Sequence, residues 1–498
     1  RGLRRQQELA IRLSLGATRG RLIQQGFTEA LTLAMCAAAL ALPVAWAVIR
    51  GIVGIAPEGI PRIGSATVDA RMFGFALGLA LVTTLLFGTL PAVLMARRAP
   101  GETLKIGGRT PIAGASRLRG ALVIAEFALS LVLLVGAGLL GKSFTAVSEV
   151  PLGFQTENVL TMQVSWPNGR YDGNSRARLI DRLVANCSVL PGVSAAAVTS
   201  ALPLTGEAEG WGVVAEDQPN RENYVAVRVR AITPAYFRAL GIRLRAGREF
   251  AQRDGRTNPA AILSASAARR IWPGIANPLG RRLVNRSMRL VGIVDDTHAS
   301  GIDAEVRPYL YVPFSQFAPP DVAVVIRSTA DAASLVQAAK REIWRIDPDQ
   351  PVTHIATMKQ VVADAIAPRR FLAVLMGIFA AFALGLAAIG IYGVLSYAVA
   401  QRTQEIGIRV ALGASPWRVV ADILRQGCLL AITGAVLGLL AALPLAPLLR
   451  GLLFGVSDTE NSIFLGGAAV LVAVAIAASL IPARRAASLD PMTCLRHE

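Results

Sequence analysis

The segment Gly136–Ser143, GAGLLGKS, has the residue types and spacing of a phosphate-binding loop. In such a loop, backbone N–H groups of glycines and one lysine surround the phosphates of ATP. Residues 290–296, LVGIVDD, look like the strand that supplies the magnesium-binding aspartate of the same kind of site. Taken together, the two segments would indicate an ATPase.

The surroundings of Gly136–Ser143 argue against that chemistry. A phosphate-binding loop follows a short buried strand and opens into water-accessible space. This segment instead ends an apolar run that starts near Gly120 and is long enough to cross a bilayer. We therefore predict that its glycines pack helices and that Lys142 is an anchor at the membrane interface. For residues 290–296 we predict an ordinary strand at the edge of a sheet.

The sequence contains no other catalytic or metal-binding pattern. The three histidines, His298, His354 and His497, are isolated, and no GxSxG or HExxH motif occurs. The four cysteines have no CxxC or Cys/His spacing, which argues against a zinc site or a disulfide framework. We expect no catalytic residue, no cofactor and no bound metal.

Glu126 is the one carboxylate well inside a predicted membrane span, and an intramembrane acid is a candidate for function. It lies only about 9 Å along its helix from the cytoplasmic end. Its side chain could therefore reach the interface or Arg119. We predict this structural role and keep a proton relay as the alternative.

Composition identifies the class of protein. Hydrophobic residues make up 53% of the 498 residues and charged residues only 17%, a balance typical of an integral membrane protein. The net charge is +18, but aromatic residues are only 6% and the basic residues do not form a single stripe. We therefore predict no binding of nucleic acid.

Six apolar segments are long enough for membrane helices, which need roughly 20 residues to cross a ~30 Å core. They lie at about 26–49, 72–95, 120–141, 371–399, 427–449 and 463–483. Lysine and arginine are concentrated in four short segments, which the positive-inside rule places in the cytoplasm. These are 1–21, 96–119, 400–425 and 484–498. Residues 143–369 are therefore predicted to lie outside, in a periplasm.

Small residues in the fourth span suggest where it packs against its neighbours. The candidate contact points are Gly377, Gly385, Gly390 and Gly393. The alternative is that small residues occur there simply because a membrane helix tolerates them.

The outer region is large enough to form its own core, and its pattern predicts an α+β domain. The predicted strands are Asn158–Ser165, Val193–Ser200, Tyr224–Ile232, Arg289–Val294 and Val322–Arg327. The predicted helices lie near Ser175–Leu190, Ala265–Trp272 and Ala332–Ile346. The predicted fold is thus a bundle of about six transmembrane helices with a large extracytoplasmic α+β domain.

One ten-residue segment occurs twice, as Glu8–Ala17 and as Glu405–Ala414, and each copy precedes a long apolar run. The copies share a Glu/Arg pair at the i,i+4 spacing of a helical ion pair and a glycine placed to end the helix. Such repetition argues for two equivalent halves.

A short amphipathic helix of this kind suits docking into a groove on a soluble partner. Two copies would offer the pair of pseudo-symmetric sites that a dimeric motor requires. The alternative is a passive helix that lies among the lipid headgroups. The predicted docking residues are Glu8, Ile11, Arg12, Leu15 and Gly16 in the first copy, and Glu405, Ile408, Arg409, Leu412 and Gly413 in the second.

These motifs resemble a known family. Glu405–Ala414, together with Pro482–Ala486 and the Asp490-Pro491 and Leu495-Arg496 pairs, is similar to the FtsX-like permease domain. The outer region resembles the MacB-type periplasmic core domain. The matching stretches are Leu190–Val193, Tyr236–Ile242, Gly247–Phe250, Trp272-Pro273, Asn277–Gly280 and Val291–Asp296. The closest subfamily is the one in which two such units are fused in one chain.

The resemblance implies a domain organisation. Residues 1–119 match the C-terminal part of a first FtsX-like unit, and 120–142 match the first span of a second unit. Residues 143–369 would be the MacB-like periplasmic core, and 370–498 the permease domain with three spans. Because the chain opens on Arg1 inside the first repeat, we expect a fragment that lacks the start of the first unit.

The resemblance also implies a function, that of a non-catalytic permease subunit of an ABC transport system in the bacterial inner membrane. A separate, dimeric cytoplasmic ABC ATPase would hydrolyse ATP, and its closure would move the periplasmic domains, a mechanism called mechanotransmission. Leu9, Ala10 and Ser14 depart from the family pattern, so the first copy is expected to dock less well.

The remaining partners implied are the lipid bilayer and envelope proteins, and the work performed would be efflux or another envelope process. The alternative function is an ATP-independent, membrane-anchored sensor or scaffold.

Overall fold

The computed structural model describes residues 18–57, 63–65, 67, 69–85, 113–205, 209–217, 224–284, 287–412, 415–457 and 460–488. The chain divides into two compact units. The helical unit comprises Arg1–Lys142 and Arg370–Glu498, and the sheet unit comprises Ser143–Arg369.

The regular elements alternate between long apolar helices and a compact α/β region. The α-helices are α1 Arg19–Ile55, α2 Ala70–Thr84, α3 Ala113–Ser148, α4 Gly173–Ser188, α5 Tyr236–Leu240, α6 Ala265–Ile271, α7 Val336–Ile346, α8 Met358–Gln401, α9 Thr403–Ala411, α10 Pro416–Leu445 and α11 Asn461–Ala487. The strands are β1 Val159–Ser165, β2 Val193–Thr199, β3 Glu209–Val213, β4 Val225–Ile232, β5 Leu244–Gly247, β6 Ala260–Ser264, β7 Arg282–Leu283, β8 Met288–Val294, β9 Tyr309–Pro313, β10 Asp321–Ser328 and β11 Val352–Thr357.

Within the described residues, five helical segments are long and apolar enough to cross a membrane. They are Phe27–Ile55, Arg119–Ser148, Met358–Gln401, Pro416–Leu452 and Asn461–Ala487. These segments confirm five of the six predicted spans. The sixth, predicted at 72–95, begins in α2, which supplies a shorter apolar stretch at Ala70–Val82, and its second half lies outside the described residues.

Close packing in the helical unit centres on α3. A Cβ atom built on Gly434 of α10 would lie 2.5 Å from the Cβ of Phe127, and one on Gly438 would lie 2.8 Å from the carbonyl oxygen of Ala128. Neither position has room for a side chain. The backbones of α3 and α10 therefore approach closely, as small residues allow between membrane helices.

The fourth predicted span corresponds to α8, and of its four candidate glycines only Gly390 has a close neighbour. A Cβ there would lie 2.6 Å from a carboxylate oxygen of Glu126. At Gly377, Gly385 and Gly393 no described atom outside the helix backbone lies within 4 Å of such a Cβ. Described residues therefore make no close contact at these three positions. The sequence shows that a residue is small but not which side of its helix meets a neighbour.

The strands described in the sheet unit form one mixed sheet in the order β11-β1-β10-β2-β4-β9-β6-β8-β5, with β3 paired to β4 and β7 paired to β8. The pairs β4/β9 and β6/β8 are parallel. Strand β1 pairs with β10, where Val159 is opposite Arg327, and with β11, where Leu160 is opposite Thr357. Strands from the two ends of the unit thus lie side by side.

Both faces of this sheet are covered. In β10, Val322, Val324 and Ile326 belong to one buried apolar cluster, whereas Ala323 and Val325 belong to another. Successive side chains of a strand point to opposite faces, so each face has its own core. Helices α4, α6 and α7 contribute to the first cluster and α5 to the second.

The α+β prediction is confirmed. The five predicted strands and three predicted helices are present, with ends within two residues of those predicted, although Ala332–Leu335 is 3-10 rather than α-helical. Strands such as β6 and β9 were not predicted. Each has five residues that are mostly apolar and buried throughout, and such a run has no alternation to distinguish a strand from a helix.

Candidate functional site

Helix α9 carries the second copy of the repeat. Glu405 lies in its first turn and Arg409 in its last, where the helix dipole favours an acid and a base respectively. Arg409 Nη2 donates to Glu405 Oε1 at 2.5 Å, so the predicted ion pair forms. Both side chains are more than half exposed, and such a pair contributes only about 0.3–0.5 kcal/mol to the stability of the helix.

One side of α9 is attached to the helical unit. Ile406 is buried and belongs to an apolar cluster that includes Val420 and Ile423 of α10 and Ala483 and Ala486 of α11. A single residue, Arg402, separates α9 from α8. The short helix is therefore held by its neighbours on one side and is joined directly to a long helix.

The opposite side of α9 is exposed and apolar. Ile408 is 43% exposed and Leu412, just after the helix, is 83% exposed. With Glu405 and Arg409 these residues form the docking face: Glu405, Ile408, Arg409 and Leu412. This arrangement can bind an apolar groove that is lined with charges.

Sequence reasoning missed two residues of α10, the helix that follows α9. Trp417 is 70% exposed in the first turn of α10. Pro416 could have indicated that α10 starts here, because proline favours the first position of a helix. Asp422 Oδ2 lies 4.0 Å from Arg409 Nη1, a contact between α10 and α9 that no sequence spacing predicts.

Several predicted docking residues lie outside the described residues, so their predicted roles stay predictions. They are Gly413 of the second copy and Glu8, Ile11, Arg12, Leu15 and Gly16 of the first.

The segment Gly136–Ser143 is part of α3 and is not a loop. Its first two glycines lie so close to Met376 of α8 and Ile463 of α11 that added Cβ atoms would be 2.9 and 2.6 Å from them. Lys142 Nζ donates to Glu460 Oε1 at 2.6 Å, and this hydrogen bond lowers the pKa of Glu460. The predicted role in helix packing is confirmed for Gly136 and Gly138, whereas an added Cβ at Gly141 would have no described neighbour within 4 Å.

Residues 290–296 include most of β8, which lies between β6 and β5. The prediction of an edge strand was therefore wrong, because the neighbouring β5 is too short and mixed in character to be recognised from sequence. Asp295 is paired with Arg245, and Asp296 is paired with Arg269 at 3.2 Å. Both carboxylates thus take part in ion pairs within the sheet unit.

Of the two partners predicted for Glu126, the membrane interface or Arg119, the described side chains do not form the contact with Arg119. The Arg119 guanidinium carbon lies 4.2 Å from the ring centroid of Tyr397 on α8, where the aromatic face attracts the cation. Glu126, two turns along α3, lies beside Gly390. The two residues therefore make separate contacts with α8.

Comparison with known proteins identifies the family. Residues 120–342 match the MacB-like periplasmic core domain. Residues 3–100 and 377–491 match the FtsX-like permease C-terminal domain, and the second of these matches contains all of α9. The chain belongs to the FtsX-like permease family and has a MacB-like periplasmic core domain. It is a multi-pass membrane protein, and the sheet unit of this MacB-type permease contains most of the periplasmic core.

The MacB-type permease has curated relatives. It is 26% identical over 292 residues to the macrolide export ATP-binding/permease protein MacB of Agrobacterium fabrum, over 55% of this chain and 44% of the relative. It is 30% identical over 273 residues to the pyoverdine export ATP-binding/permease protein PvdT of Pseudomonas fluorescens, over 51% of this chain and 40% of the relative. The chain thus spans less than half the length of these relatives.

Among solved structures, the MacB-type permease is similar to the periplasmic region of MacB from Actinobacillus actinomycetemcomitans. The identity is 17% and the TM-score is 0.31, over 43% of this chain and 95% of that one.

Proposed function

We propose that this chain is the non-catalytic permease subunit of a MacB/FtsX-type ABC transport system in the bacterial inner membrane. A separate, dimeric cytoplasmic ABC ATPase binds its docking face. The observation that carries the proposal is the two-sided α9, where Ile406 is held in the helical unit while Ile408 and Leu412 are exposed. A helix attached on one side and apolar on the other can pass a displacement from a partner to its neighbours.

The regions that match known families assign this chain the permease part of the system. Its matched regions are permease and periplasmic core, and its one segment that resembles a phosphate-binding loop lies inside α3. The curated relatives have names that combine ATP binding with permease function. In this system we assign ATP hydrolysis to the partner subunit and export to the assembly.

Continuity of the helices supports mechanotransmission. Helix α8 runs from Met358 to Gln401, and only Arg402 separates it from α9. Met358 is itself buried in the second apolar cluster of the sheet unit. Closure of the ATPase dimer displaces α9, and α8 is the element through which this displacement leaves the docking site.

The proposed organisation is that of a duplicated permease. Residues 1–119 end a first FtsX-like unit, and 120–142 begin a second. Residues 143–369 form its periplasmic core, and 370–498 form its permease domain. The two separate matches to the permease family support this organisation. The segment Glu8–Ala17 is then a second, weaker docking site.

The experiment is recovery of an ABC ATPase with the tagged full chain from detergent-solubilised native membranes, followed by an ATP hydrolysis assay. The test variant combines Leu412→Glu with Leu15→Glu, its counterpart in the first copy. The control is Val189→Glu, because Val189 is 82% exposed just after α4 in the sheet unit, outside the membrane-crossing segments. We expect the test variant to recover at least tenfold less ATPase than the control.

Equal recovery by the test variant and the control would contradict docking through α9. Cellular function that survives in preparations free of ATPase would instead favour the ATP-independent sensor or scaffold.

A further inference from the structure

Arg230 of β4 is fully buried in the sheet unit, and no described acid forms an ion pair with it. Its Nη1 donates to Tyr236 Oη at 3.3 Å and its Nη2 to the carbonyl oxygen of Leu202 at 3.5 Å, both long for hydrogen bonds. Its Nε, also buried, has no hydrogen-bond partner among the described residues. The guanidinium carbon lies 5.1 Å from the ring centroid of Tyr309.

A second buried donor lies next to this guanidinium. Tyr311 of β9 is directly opposite Arg230 in the parallel β4/β9 register, and opposite residues on one face have Cβ atoms about 5 Å apart. The Tyr311 phenol oxygen is fully buried and makes no hydrogen bond to a described residue, although the Thr297 hydroxyl lies near it. Two neighbouring buried donors, the charged Arg230 Nε–H and the Tyr311 phenol, therefore have no hydrogen-bond acceptor among the described residues.

Arg176 shows how the sheet unit supplies hydrogen-bond acceptors to a buried arginine with a structural role. Arg176 is also buried, but its Nε donates to the carbonyl oxygen of Ala318 at 3.0 Å. Its Nη1 donates to the Asn168 side chain at 2.8 Å and to the carbonyl oxygen of Tyr171 at 2.9 Å. Among the described residues Arg230 has no comparable set of acceptors.

We propose that Arg230, Tyr236 and Tyr311 form a binding site for a small inorganic anion of the size of chloride. A buried charge needs a counter-charge or dense hydrogen bonding, and an anion accepts from the guanidinium and the phenols at once. All three side chains are fully buried, which selects an ion close to water in size over an organic carboxylate. The bound anion joins β4 to β9.

The test is hydrogen–deuterium exchange of the full chain in lipid nanodiscs, in sodium chloride and in sodium gluconate of equal ionic strength. At a tenfold excess of chloride over its dissociation constant, amides of β4 and β9 should exchange about tenfold more slowly than in gluconate. Arg230→Met should abolish this difference. The control Arg176→Met removes the other buried arginine and should keep it.

Tyr311→Phe removes one proposed ligand while preserving the ring, so it tests the site even where Arg230→Met does not fold. We expect this variant to need several-fold more chloride for the same protection. The proposal is overturned by equal exchange of the wild type in the two salts. An unchanged chloride requirement in Tyr311→Phe overturns it as well.

Discussion

At the scale of single residues, Asp254 shows how hydrogen bonding overrides burial. Its side chain is fully buried, and burial alone would raise the pKa of Asp254. It accepts hydrogen bonds from Arg248 at 2.5 and 2.9 Å and from the backbone N–H of Ala251 at 2.8 Å. These bonds favour the ionised form, and they hold the pKa of Asp254 below its usual range.

Asp254 therefore makes the sheet unit sensitive to acid. Because its pKa is lower in the folded than in the unfolded chain, its contribution is full above about pH 4 and is lost as the pH falls through the folded pKa. We expect Asp254→Asn to lower the free energy of unfolding at pH 7 by about 1–3 kcal/mol. Thermal unfolding between pH 7 and pH 2 should show a shallower acid loss in this variant.

The matched control for that series is Asp349→Asn, since Asp349 is 82% exposed and should leave the pH profile unchanged. If the wild type and Asp254→Asn lose stability equally as the pH falls, Asp254 is not the source of the acid sensitivity.

Exchanging the two charges of the docking face tests whether they act in partner binding or only in the stability of α9. Exchanging the pair, as Glu405→Arg with Arg409→Glu, keeps an i,i+4 ion pair and should change the free energy of unfolding by only about 0.5 kcal/mol. Binding of the ATPase should weaken at least tenfold, because the partner meets reversed charges. The measurements are the thermal midpoint and the recovered ATPase.

The control exchange is Glu157→Lys with Lys359→Glu, another exposed pair, 3.1 Å apart in the sheet unit. If the exchanged docking face binds the ATPase as well as this control does, the Glu405/Arg409 pair only stabilises α9.

Local spacing could predict the Glu405/Arg409 pair, because both partners lie on one turn of helix. The site around Arg230 could not be predicted in this way. In β4, VAVRVRAI, the alternating Arg228 and Arg230 are typical of a strand with one face in water. At Arg230 that face is instead covered by Tyr309 and Tyr311 of β9. These tyrosines lie about 80 residues later in the chain, so the residue pattern of β4 alone cannot show that they bury Arg230.

At the scale of elements, the close approach of α3 and α10 makes a sharp prediction. Gly438→Ala would place a Cβ 2.8 Å from the carbonyl oxygen of Ala128 and 2.9 Å from the Cβ of Leu131. The helices must then separate, so we expect a loss of about 1–3 kcal/mol in the free energy of unfolding. Thermal unfolding in detergent measures it.

Gly393→Ala is the control, because no described neighbour lies within 4 Å of its added Cβ and alanine favours helix. Its thermal midpoint should equal or exceed that of the wild type. A similar fall for both variants would mean that the α3/α10 contact is not the cause.

The presence of the membrane helices was predictable because their spans are long and uniformly apolar, as in α8, α10 and α11. Their starts were less so, since α8 begins at Met358 and α10 at Pro416, more than ten residues before the predicted spans 371–399 and 427–449. The faces by which these helices pack could not be predicted. Gly434 and Gly393 are both glycines within an apolar helix, and they differ only in what lies opposite them in the structure.

At the scale of the whole molecule, the sheet unit contains two apolar clusters and pairs its own first and last strands. We expect residues 143–369, expressed alone, to be a soluble monomer with cooperative thermal unfolding. Gel filtration and circular dichroism measure this. Aggregated protein without a cooperative transition would show that the sheet unit requires the helices for folding.

The order of strands also determines when the sheet unit can fold. Strand β1 is made first, yet Val159 pairs with Arg327 and Leu160 with Thr357. At roughly 5–20 residues per second, ribosomes need on the order of 10–30 s between these partners. During that interval β1 lacks both of the strands with which it pairs. Pairing between strands so distant in sequence is also slow once all of them have been made. We therefore expect chaperones to bind β1 before its partner strands are made.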